Sequence, residues 1–198
     1  VTDTDYNPTQ SFIASASFDM TWRLWDLNTG SELLLQEGHS REVYCATFHC
    51  DGSLLCSAGL DCIGMVWDIR SGKCPILLNG HVKPIYSVDW SPNGYQIATG
   101  SGDGTIKIWD LRKSNNPFTI LAHNNIVSSV SFDRAHGNLL TSSGYDGKVN
   151  VFSSDNWVKL KTLEGHTDKV LCSDISKDTK FIVSSSWDRS IKLWKVDK

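Results

Sequence analysis

Short apolar runs broken by turn residues dominate this chain. VYCATF (43–48), SLLCSA (53–58), IGMVWDI (63–69) and PILL (75–78) are such runs, and DG, SG and NG pairs at 51–52, 71–72 and 79–80 separate them. β-Branched and aromatic residues suit a pleated, half-buried surface, while glycine pairs provide the backbone of tight turns, so the pattern predicts short antiparallel strands. Four strands fit between one recurrence of the pattern and the next, and the chain is therefore expected to be all-β.

The recurrence keeps a register. Asp19, Asp61, Asp103, Asp146 and Asp188 are spaced 42, 42, 43 and 42 residues apart. Six residues after each stands an aromatic residue (Trp25, Trp67, Trp109, Phe152, Trp194), and four before each a hydroxyl (Ser15, Ser57, Thr99, Ser142, Ser184). His39, His81, His123 and His166 precede the last four aspartates by 22 or 23 residues, each following Gly38, Gly80, Ala122 or Gly165. Four-stranded units at this period are the blades of a β-propeller.

Strand and turn lengths bring the histidine, hydroxyl, aspartate and tryptophan of a unit together, so that imidazole bridges carboxylate and hydroxyl while the indole N–H donates. Serine, histidine and aspartate in one cluster also suggest a hydrolase. A catalytic triad, however, is a single site with an exposed nucleophile, whereas this constellation recurs in step with the fold. GxSxG, HExxH, P-loop and dinucleotide fingerprints are absent from the sequence. No catalytic residue, cofactor, metal site or small-molecule substrate is expected. In the unit with Phe152 the indole donor is missing, so that blade is expected to be the softest complete one, with Phe152→Trp stabilising by roughly 0.5–1.5 kcal/mol if the ring fits.

The strand pattern assigns residues 1–11 to a polar lead-in, 12–37 to a partial blade, 38–79, 80–121 and 122–164 to complete blades, and 165–198 to a final blade lacking its outer strand. That makes 18 strands, or about 4.5 blades. Propellers often close by borrowing an outer strand from the other end of the chain. Upstream sequence is therefore expected to complete a seven-bladed ring.

Charge and composition narrow the partners. The net charge is −3, without the basic excess of a dedicated nucleic-acid binder, so RNA contact would need a local patch. No apolar run is long enough for a membrane span, and residues 1–10 have neither an initiator Met nor the features of a signal peptide. Six cysteines, at 45, 50, 56, 62, 74 and 172, lack CxxC spacing, and strand alternation would bury several of them as small apolar residues, in keeping with a reducing, intracellular compartment.

WRLWDL (22–27), QEGHS (36–40), GLD (59–61), SPNGYQIATGSGD (91–103), WDLR (109–112), HGNLL (136–140) and LKTLEGH (160–166) together resemble the WD-repeat proteins of the U4/U6 small nuclear ribonucleoprotein, a family of pre-mRNA splicing factors. The likeness covers nearly the whole chain. It implies a nuclear scaffold of the U4/U6 and U4/U6.U5 particles acting in spliceosome assembly, with U4/U6 proteins as partners and U4/U6 RNA met through the particle. Phe152, Ser153 and Lys195 depart from the WD signature at scaffold positions.

The alternative is a propeller substrate adaptor. Reading acidic or phosphorylated motifs would call for an arginine cluster, and Arg41, Arg112, Arg134 and Arg189 are scattered along the sequence. A partner surface is suggested by the residues before the turn aspartates: Phe18, Leu60, Gly102, Tyr145 and Trp187, four of them large and apolar. Tyr44 and Tyr86, five residues after His39 and His81, should meet them near the central channel, with Arg189 at the edge. Aromatic and arginine side chains are the usual interface anchors. The competing expectation is that each ring folds over its own blade.

Overall fold

The computed structural model describes residues 1–113 and 116–195, which form nineteen strands in five antiparallel sheets. The first sheet contains β1 (Asp3–Tyr6), β2 (Phe12–Ala16), β3 (Trp22–Asp26) and β4 (Glu32–Gln36). The second contains β5 (Val43–Phe48), β6 (Leu54–Gly59), β7 (Ile63–Asp68) and β8 (Lys73–Asn79). The third runs through β9 (Ile85–Trp90), β10 (Gln96–Ser101), β11 (Thr105–Asp110) and β12 (Phe118–Leu121). The fourth comprises β13 (Val127–Phe132), β14 (Leu139–Gly144), β15 (Lys148–Ser153) and β16 (Lys159–Glu164), and the fifth β17 (Val170–Ile175), β18 (Phe181–Ser186) and β19 (Ile191–Lys195). Consecutive first strands, β1, β5, β9, β13 and β17, lie against one another, so the sheets stand as neighbouring blades around a shared axis.

Residues 1–11 are not a lead-in. Asp3–Tyr6 pairs with β2, from Asp3 opposite Ala16 to Tyr6 opposite Ile13, and completes the first blade. The polar sequence DTDY hid this strand, because its carboxylates face neither an apolar core nor open solvent. Asp5 Oδ2 accepts the Phe48 amide at 2.8 Å and the Thr47 hydroxyl at 2.9 Å, while Asp3 Oδ2 accepts the Ala46 amide at 3.2 Å. The inner strands continue this lacing: Asp89 Oδ2 accepts the Phe132 amide at 2.7 Å, and Ser131 Oγ donates to Asp174 Oδ1 at 2.9 Å. Polar residues here satisfy backbone groups of the next blade, a role that alternation alone does not signal.

The core lies between blades. Trp22, Leu24, Phe48, Leu55 and Trp67 fill the first interface, and Val66, Leu78, Trp90, Ile97 and Trp109 the second. Ile106, Val130, Phe132 and Phe152 lie in the third cluster, and Val149, Leu163, Val170 and Ile182 in the fourth. Each blade thus buries an apolar face on its neighbour, the arrangement that makes repeat stability a sum of nearest-neighbour terms.

Candidate partner-binding face

The turns between second and third strands and the links between blades share one end of the assembly. A polar chain braces that end. In the second blade His39 Nδ1 lies 2.7 Å from Asp61 Oδ2 and Nε2 lies 2.7 Å from Ser57 Oγ, to which Trp67 Nε1 donates at 2.8 Å. His81, Asp103, Thr99 and Trp109 repeat the set at 2.8–3.0 Å, as do His166, Asp188, Ser184 and Trp194 at 2.8 Å. Burial opposes ionisation of Asp61, Asp103 and Asp146, but bonds from histidine and from neighbouring backbone or side-chain donors outweigh it and hold all three below the usual carboxylate range. Burial likewise lowers His81, more strongly than the attraction of Asp103 raises it, which keeps the imidazole neutral. Ser57, Thr99 and Ser142 are fully buried, so these hydroxyls are structural links and not accessible nucleophiles.

The fourth blade departs from the pattern. His123 still bridges Asp146 at 2.9 Å and Ser142 at 2.8 Å, but Phe152 offers no donor. Asn150 fills in beside the ring: its Nδ2 donates to the Ala122 carbonyl at 2.8 Å, and its Oδ1 accepts from Thr162 at 2.7 Å. The sequence contained a further signal that repeat alignment passes over. A Cβ at Gly38, Gly80 or Gly165 would stand 2.9, 3.2 or 3.1 Å from the Cη2 atom of Trp67, Trp109 or Trp194. Glycine before the histidine makes room for the indole, and Ala122 occurs where the smaller Phe152 replaces it.

The expected rim residues fall at this end. Phe18 and Trp187 are 57 % and 55 % exposed; Leu60, Tyr44, Tyr86 and Tyr145 are half-buried, and Arg189 is exposed. The rings mostly pair across blades: Phe18 with Tyr44 at 6.2 Å, Tyr44 edge-on to Tyr86 at 5.2 Å, and Tyr145 with Trp187 at 6.4 Å. Tyr86 also covers its own blade's turn, where a Cβ on Gly102 would lie 3.2 Å from its ring. Burial raises the Tyr44 phenol, and Tyr145 and Tyr86 add to the shift. Lys169 Nζ lies 4.5 Å from the Trp187 centroid and 5.1 Å from that of Tyr145.

Sequence reasoning missed Lys169, Val82 and Leu121. The two aliphatic residues are 81 % and 85 % exposed and flank one turn: the Val82 amide donates to Asp103, and Leu121 pairs with Thr105. Leu121 was detectable, since Glu37, Asn79 and Glu164 occupy its position in other blades.

Comparison with known proteins agrees with this architecture. The family model described as "WD domain, G-beta repeat" matches residues 1–26, 30–68, 72–110, 115–153 and 157–195. The chain is 60 % identical over 197 residues to "U4/U6 small nuclear ribonucleoprotein PRP4" of Saccharomyces cerevisiae, covering 98 % of this chain and 42 % of that protein. A PRP4-like protein of Arabidopsis thaliana is 47 % identical over 58 residues, 29 % of this chain and 10 % of its own length. Eukaryotic translation initiation factor 3 subunit I of Xenopus tropicalis is 38 % identical over 68 residues, 34 % of this chain and 21 % of its own. The chain therefore spans less than half the length of the yeast relative.

Proposed function

Since the chain belongs to the WD40 repeat family, we propose that it is a non-catalytic scaffold of the U4/U6 small nuclear ribonucleoprotein, docking proteins of that particle during pre-mRNA splicing. On this reading the protein works in the nucleus and meets U4/U6 RNA through the particle. The observation that carries it is the 60 % identity to the yeast relative across 98 % of the chain, which spans every blade, whereas the initiation-factor match covers only 34 %. The face built from Phe18, Tyr44, Leu60, Tyr86, Tyr145 and Trp187, with Arg189 at its edge, is the docking surface. The arginine cluster that a phosphate-reading adaptor would call for is not formed: Arg41 and Arg189 belong to this end, Arg112 and Arg134 to turns at the other.

We also read the five blades as part of a seven-bladed ring. Tyr6, Leu33 and Leu35 on the first blade and Val183, Ile191 and Leu193 on the last are exposed, as expected of faces that pack on further blades. The scaffold reading is tested by affinity purification of the full-length protein, with RNA sequencing and mass spectrometry of what it retains. Recovery of U4 and U6 RNAs with their proteins is expected, and recovery of a different complex without those RNAs would overturn it.

A further inference from the structure

The chemistry of the rim says what sort of segment suits it. Four of the five turn carboxylates, Asp61, Asp103, Asp146 and Asp188, bond a histidine and also accept a backbone amide from the residue after it, while Asp19 pairs with Arg23. Little acceptor capacity of those four is left to face outward. Lys169 is in the opposite condition. Its ammonium is held over two aromatic faces, an arrangement that fixes a normally mobile side chain, and no carboxylate pairs with it among the described residues. Lys83 and Arg189, at the same end, have no ion-pair partner among the described residues either.

The same end also exposes the apolar side chains of Phe18, Trp187, Val82 and Leu121, beside polar link residues such as Asp168. From this juxtaposition we infer that the rim takes an acidic protein segment, one carrying Asp or Glu among aliphatic or aromatic residues, with its carboxylates on Lys169, Lys83 and Arg189. This rests on the docking reading given above and specifies its partner. Single-stranded RNA also combines negative charge with flat groups, but Val82 and Leu121 have no stacking face to offer a base, and the net charge of −3 opposes a polyanion. A carboxylate-bearing segment uses both the cations and the aliphatic contacts, and the complementary charges set its register.

The test places the photo-crosslinking residue p-benzoylphenylalanine at Val82 of the full-length protein in cells, with a control at Cys50 on the opposite end. Adducts are identified by mass spectrometry and by RNA labelling. The expected result is a protein adduct at position 82 whose cross-linked peptide contains at least two Asp or Glu residues. Its yield should fall about fivefold or more with Lys169→Glu and persist with Lys169→Arg, while Lys169→Arg melts like the parent and Lys169→Glu remains folded at the assay temperature. An adduct to a segment without acidic residues, or one indifferent to Lys169→Glu, overturns the acidic partner and leaves the docking face standing. An RNA adduct, or protein adducts at Cys50 with none at Val82, overturns the docking face itself.

Discussion

Phe152→Trp restores the indole that the fourth blade lacks, and the structure reverses the simple expectation that it stabilises. The indole N–H would regain Ser142 Oγ, a hydrogen bond with a net value of about 1 kcal/mol. In the three blades that carry a tryptophan opposite glycine, however, the ring edge lies where a Cβ would come within 2.9–3.2 Å, and the fourth blade has a Cβ there, on buried Ala122. Forcing the larger ring against it costs about 1–3 kcal/mol of overpacking. The single variant should therefore be neutral to about 2 kcal/mol less stable than the parent. Ala122→Gly alone removes a buried methyl and adds chain entropy to the unfolded state, a loss of about 1–2 kcal/mol. Combined, the two substitutions relieve each other, and the cycle should show a favourable coupling of about 1–3 kcal/mol. Urea unfolding gives the global values, and amide exchange of β14 and β15 gives a local readout that does not assume a two-state ring. If Phe152→Trp changes stability by the same amount in the parent as in the Ala122→Gly background, the packing account is wrong.

Replacing both Tyr145 and Trp187 by Ala should weaken partner binding by about 2 kcal/mol or more, and should lower thermal stability only by the lost contacts with Lys169, about 1 kcal/mol; normal binding in a pull-down, or loss only on unfolding, counts against the face. Burial raises the Asp89 carboxyl to about 7, against the opposing Phe132 amide and Arg134 charge, so the folded protein holds this proton more tightly than the unfolded chain, where the ordinary value is 3.8. The associated stability is full below about pH 4 and is lost as pH rises through about 7. Asp89→Asn should flatten that part of the stability–pH profile, and an unchanged slope between pH 4 and 7 would show that another group sets it. Residues 1–198 expressed alone should self-associate through their exposed end faces, where Ile191 and Leu193 are 75 % and 68 % exposed; a sharp, reversible, monomeric unfolding transition in light scattering and calorimetry would contradict this.

Repetition made most of this protein legible without coordinates. A spacing of 42 or 43 residues between the turn aspartates, with histidine, hydroxyl and tryptophan in step, determines four-stranded blades and their polar chains, because each blade solves the same local packing problem. The turn residues Phe18, Leu60, Tyr145 and Trp187 were placed at one end by that same register. Tertiary structure decided what depends on neighbouring blades. DTDY reads as a polar lead-in until Ala46, Thr47 and Phe48 present the donors that Asp3 and Asp5 accept. Lys169 is an ordinary surface lysine until Tyr145 from one blade and Trp187 from the next close around it. Ala122 looks like a neutral variation on glycine until the ring of Phe152 shows which volume has been exchanged. Periodicity records which positions recur from blade to blade, whereas these features are single departures from the repeat whose partners, 18 to 43 residues away, only the assembled fold brings together.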